Sequence, residues 1–137
     1  MPILKDARIE INSVVMSTDA NQVGLDLNAE EQDDTAFGDN ARARLSGLQD
    51  PGLSVGFNQN FTNGGVDQLL FALWSAGAVV TCKVRPTTAA ISTGNAEYVG
   101  GFLPSKYTPF GNSVGDAAKA NIQWPYGSGT AIARNTV

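Results

Sequence analysis

The chain has no histidine in 137 residues. That removes the commonest general base, the usual transition-metal ligand and the Ser-His and Cys-His nucleophile pairs. Cys82 is the only cysteine, so neither an internal disulfide nor a C-x-x-C site is available. Charge is scarce too: Asp, Glu, Lys and Arg together make 16% of the residues, against roughly 25% in an ordinary soluble domain. So lightly charged a surface suits a chain covered by copies of itself. No apolar run is long enough to cross a bilayer, and MPILKDARIE at the amino terminus lacks the hydrophobic segment of a secretory signal. The expectation is a protein without a membrane anchor that folds in a reducing cytoplasm. Basic clusters are missing as well: nine Lys and Arg are scattered among thirteen Asp and Glu, for a net charge of −4 and a pI near 4.6. A nucleic-acid binder gathers its cations on one face.

What is present reads mostly as strand. Arg8-Ile9-Glu10-Ile11 alternates polar and apolar, and Asn12-Ser13 turns it back into Val14-Val15-Met16 as a small hairpin. Val23, Leu25, Leu27 and Ala29 share one face of a second strand, and Leu53, Val55 and Phe57 one face of another that ends near Phe61. Then the period changes. Val66, Leu69, Leu70, Leu73 and Trp74 make a helical stripe over residues 66–76, with Asp67 in the first turn and Gly77 to end it. Strands resume over 79–85, followed by a loop at 87–95 with few instructions. Residues 97–103 and 105–110 read as one strand broken by Pro104, which lacks the amide a central strand requires. A turn at 111–115, an alternating strand through Ala118, Ala120, Ile122 and Trp124, and a short strand at 130–134 complete the chain. The sum is about seven or eight strands and one helix: a single domain over residues 1–137, mainly β, a β-sandwich or partly closed barrel with a flanking helix.

The exception is the segment 30–51, EEQDDTAFGDNARARLSGLQDP. A strand reversal needs only two to five residues, so this connection is long enough to be an arm, with a short helix expected at 40–45. It opens with four carboxylates in five residues and turns basic at Arg42 and Arg44. A Ca²⁺ site is one reading of the acids, but neighbours on a strand point to opposite faces and do not converge. Asp19, Asn21, Gly24 and Glu30 match four EF-hand loop positions, yet Val23 stands where a ligand is needed and no helices flank the segment. Cys82 lies between Val80 and Val84 and reads as a buried small hydrophobe, and Asn60-Phe61-Thr62 is a glycosylation sequon without a secretory context. No G-x-G-x-x-G or G-x-x-x-x-G-K-[ST] motif occurs. No catalytic, metal or cofactor site is expected. The segment reads instead as a subunit interface. Asp33, Asp34 and Asp39 would meet Arg42 and Arg44 within the arm or on a neighbouring copy, and Phe37, Leu45 and Leu48 would be apolar anchors. An acidic end and a basic end on one segment allow the head-to-tail contact that generates rings or filaments.

The amino-terminal hairpin, the acidic strand end running into Asp34-Thr35-Ala36-Phe37-Gly38-Asp39, Leu45-Ser46-Gly47-Leu48-Gln49-Asp50 before the next strand, the helix after it and the late Ile122-Gln123-Trp124-Pro125 occur in a particular order. In that order, over about residues 3–134, the chain resembles the tail tube proteins of long, non-contractile-tailed bacteriophages. The resemblance implies a structural virion protein without enzymatic activity or cofactor, assembled as hexameric rings stacked into a hollow tube. Inner strands would join around each ring, and the long loop, here about residues 30–51, would reach an adjacent subunit or ring. Implied partners are further copies, a tape-measure protein, a tail terminator and distal tail proteins, with DNA passing through the lumen unbound. A smooth outer surface is expected, since no decoration domain is seen. A contractile secretion system or phage-derived particle would use a related subunit. Six copies at −4 each carry −24 formal charges, which would repel DNA if many of them faced inward.

Overall fold

The computed structural model describes residues 7–110 and 118–137; the turn expected at 111–115 lies outside them. The described residues form eleven strands and one helix. The first hairpin pairs β1 (Arg8–Ile11) with β2 (Val14–Val15). Asn12 (φ 51°) and Ser13 (φ 68°) are both left-handed, the conformation in which a two-residue turn matches strand twist. Asn tolerates that region and Ser does so poorly. Ser13→Gly is therefore expected to stabilise the protein by about 0.5–1 kcal/mol, read as a rise in the denaturation midpoint; a fall would mean the Ser13 side chain is needed there.

Two sheets face each other. One has the order β11-β8-β7-β1-β2, with β7 at Val80–Arg85, β8 at Glu97–Phe102 and β11 at Ala133–Asn135. The other runs β3-β6-β10-β9, from β3 (Ala20–Asp26), β6 (Gly52–Asn58), β10 (Lys119–Pro125) and β9 (Tyr107–Thr108). All pairings are antiparallel. Period-two alternation sends Ile9, Ile11, Val80, Cys82 and Phe102 inward from the first sheet. Leu53, Val55, Phe57, Ala120, Ile122 and Trp124 meet them from the second, forming one core. The architecture is a sandwich with no closed barrel. Burial among these apolar residues pushes the Cys82 thiol pKa up to about 12, so it stays protonated.

The helix α1 (Val66–Ala76) forms where the period changed, with Val66 and Leu70 in the core and Leu69 and Leu73 packed against it. The Gln68 side chain accepts a hydrogen bond from the Gly64 amide before the first turn. Gly77 (φ 68°) closes the last turn, its amide donating to the Leu73 carbonyl. Trp74 does not belong to the buried stripe: it is exposed beside Phe71, the ring centroids 6.0 Å apart.

Pro104 also corrects its expectation. Residues 97–110 are not one broken strand, because β8 ends at Phe102 in the first sheet and β9 belongs to the second. Pro104 is buried at the crossover, and the Leu103 amide donates to the Pro125 carbonyl (2.9 Å). A residue without an amide suits a point where the chain leaves one ladder for another.

Candidate interface

The segment after β3 is folded, which corrects its reading as a loop with a helix at 40–45. β4 (Ala29–Asp33) pairs antiparallel with β5 (Arg44–Gln49), so the second strand stops at Asp26 and Ala29 starts a new one. Opposite charges across the hairpin explain the choice. Asp33 and Arg44 are register partners, Arg42 Nη1 lies 3.0 Å from Asp33 Oδ2, and Arg44 Nε lies 3.5 Å from Glu31 Oε2. Both arginines thus find carboxylates inside their own arm.

Hydrogen bonds hold the tip. The Thr35 hydroxyl accepts from the Ala43 amide (3.0 Å), and the Asp34 amide donates to the Ala43 carbonyl (2.8 Å). Asp39 accepts from the Ala36 amide (2.8 Å), closing the turn that carries Phe37 and Gly38 (φ 94°). Hydrogen bonds from Thr35, and then Arg42, hold the Asp33 carboxyl below its ordinary pKa of 3.8. Phe37 is fully exposed, and Leu45 and Leu48 are 56% and 76% exposed.

A register shift gives the arm two unlike faces. Between Ala29↔Gln49 and Glu31↔Ser46, β5 carries one more residue than β4. That bulge returns Leu45 and Leu48 to the same face, with Gln32 opposite Leu45, while Glu31, Asp33 and Arg44 occupy the other face. Only Ala43 and Gly47 of residues 29–49 are half-buried; the others are exposed. At its base the arm is tied to the body by the Ile132 amide, which donates to Gln49 Oε1 (3.4 Å). All eight residues expected at an interface, Asp33, Asp34, Phe37, Asp39, Arg42, Arg44, Leu45 and Leu48, are together on this projecting hairpin.

Sequence reading missed three features. Outward positions of the second sheet bear Gln22, Ser54, Gly56, Asn121 and Gln123, neither charged nor apolar, with Asp26 at one end and Lys119 at the other. A Cβ on Gly56 would come 2.9 Å from Oδ1 of Asn21, the tip of an exposed side chain. Secondly, the loop at 87–95 is organised by buried Asn95. Its side chain accepts from the Thr87 amide (3.1 Å) and donates to the carbonyls of Ala89 and Ala90 (3.0 and 3.2 Å). Thirdly, Tyr107 donates to Asp67 (2.8 Å) and accepts from Gln59 (3.0 Å), pinning β9 to the helix start; burial first, then Asp67, pushes its pKa up to about 12. Among the described residues no three His, Cys, Asp or Glu side chains come together as metal ligands.

No protein-family model and no curated protein matches the chain. Solved structures do. A chain from the tail of an empty gene transfer agent particle, determined by helical refinement with C6 symmetry, superposes with a TM-score of 0.78 at 14% identity, over 98% of this chain and 99% of that one. A chain of the native gene transfer agent virion gives 0.77 at 14% identity over the same shares. The fold is shared. A chain from the six-fold symmetrised baseplate of the anti-feeding prophage is more distant, at 0.57 and 6% identity over 100% of this chain and 97% of that one.

Proposed function

We propose that this chain is the structural subunit of a phage-type tail tube, assembled as six-membered rings stacked around a bore that conducts DNA. The carrying observation is the fold shared end to end with a chain of a C6-symmetric, helically arranged tail. The projecting arm supports it. A lone two-stranded hairpin is marginal in water, and this one presents a leucine face and a bare phenylalanine with no layer of its own chain to cover them. Another copy supplies that layer. The role is structural rather than catalytic, and its place is the virion tail. The siphovirus-like tube is the form we prefer, on the order of its motifs over about residues 3–134; a tube of a contractile system or phage-derived particle is the alternative. A tape-measure protein inside the tube and terminator and distal tail proteins at its ends would be the further partners.

In this assembly the amide-bearing face of β3-β6-β10 lines the bore. Its charges, Asp26 and Lys119, cancel, so the bore offers DNA no cation cluster to hold it. This revises the idea of an acidic lumen. Residues 30–49 hold five carboxylates against two guanidiniums, a net of −3 out of the chain's −4, and that charge sits on the arm. Concentrated protein viewed in negative stain should show hollow tubes. In those tubes Gln123→Cys should resist a bulky maleimide that labels the dispersed subunit. Permanent monomers would overturn the tube, and unhindered labelling of intact tubes would overturn the bore assignment.

A further inference from the structure

The body has two ends, and each carries an unpartnered apolar feature of a different kind. The arm leaves from the end where Asp26, Gly52 and Pro125 are aligned across β3, β6 and β10. At the other end of the same strands, where Asn58 pairs with Lys119, Phe61 and Phe110 stack with ring centroids 5.4 Å apart and planes 20° from parallel. The rings are 53% and 77% exposed. β6 has seven residues, so the two ends stand ~23 Å apart. The stack is held in place: Gln59 Nε2 donates to the Pro109 carbonyl (3.0 Å) and to Tyr107 Oη (3.0 Å), fixing the segments that carry both rings. A preordered aromatic pair loses little side-chain entropy on docking.

We infer that the Phe61–Phe110 stack is the seat for the arm tip of the next copy along the tube, with Phe37 as the side chain that enters it. The inference rests on the tube reading and names the axial contact within it. Three observations select a second copy as the occupant. The arm's apolar residues have no cover within their own chain. The seat lies at the end opposite the arm, so a head-to-tail contact uses both features in every subunit and propagates without limit. Both Phe37 and the stack are uncharged and exposed, so their contact buries aromatic surface without stranding an ion. The other exposed aromatic pair, Phe71 and Trp74, lies within α1 rather than beside a strand end.

Two added-cysteine variants, Ala36→Cys and Thr62→Cys, each beside a phenylalanine of the contact and leaving it in place, provide the test when mixed, assembled and treated with a short bismaleimide. Native Cys82 is buried and protonated and forms the background control. The mixture should yield a cross-linked dimer that neither variant forms alone. Hydrogen exchange of the unaltered protein supplies the second measurement: assembly should slow exchange at 36–39 and at 60–62 together. Phe37→Ala should raise the critical concentration for tubes at least tenfold. Tubes that form with 36–39 protected and 60–62 still open, or without the mixed dimer, would overturn the seat while leaving the tube intact. A chain that never leaves the monomer would overturn the tube reading itself.

Discussion

Glu97→Gln is expected to cost about 2–3 kcal/mol of folding stability. Glu97 is 6% exposed on β8, and its Oε2 lies 3.8 Å from Arg8 Nη1 and 3.7 Å from Arg85 Nε. Arg8 and Arg85 are direct register partners on β1 and β7, so two guanidiniums face each other across one ladder. Like charges so placed repel. Glu10 engages Arg8 at 2.8 Å, but Arg85 Nε is buried with no hydrogen-bond partner and relies on the Glu97 charge at a distance. Removing one member of a buried ion pair costs roughly 3–5 kcal/mol. Arg8 retains 23% and Arg85 13% side-chain exposure, which lets water take up part of the loss and sets the lower figure. Urea unfolding reads the difference, and Arg85→Met in the same chain should restore part of it. An unchanged midpoint for Glu97→Gln would show that the guanidiniums are solvated without it.

That triad illustrates what sequence conveys and what it hides. Local patterns were legible: α1 occupies the residues its apolar spacing and Gly77 predict, and β10 buries Ala120, Ile122 and Trp124 as its alternation requires. Partnership across distance was not. Arg8, Arg85 and Glu97 look like scattered surface charges until three strands bring them together. Asn95 left no trace because side-chain bonds to nearby carbonyls create no period. Pro104 looked like a strand breaker because the ladder each flank joins is decided elsewhere in the chain. The arm's location and its residues were readable from length and charge, but its hairpin form was not. Glu30, Glu31, Asp33 and Asp34 have poor strand propensity, and their ladder is supported by Arg44 on the returning strand and Arg42 just before it.

Charge reversal at the start of that returning strand, Arg42→Glu with Arg44→Glu, should leave the body folded and abolish tube formation. The arm would then hold seven carboxylates and no cation between residues 30 and 49. Each exposed ion pair contributes little by itself, yet an isolated hairpin has little stability to lose. The body tolerates the change because its core draws nothing from β4 or β5. Thermal unfolding should therefore stay within about 2 °C of the parent, as for a surface substitution, while the critical concentration for tubes rises beyond reach. Added salt should restore some assembly by screening the repulsion. Acid bears on the same device. The folded-state pKa of Asp33 is depressed, so its contribution is present above the ordinary value of 3.8 and lost as pH falls through the lower one. The parent arm should keep its ion pairs at neutral pH and loosen only in strong acid. Tubes forming at the parent concentration from the reversed chain would show that assembly needs neither these pairs nor the face they hold flat.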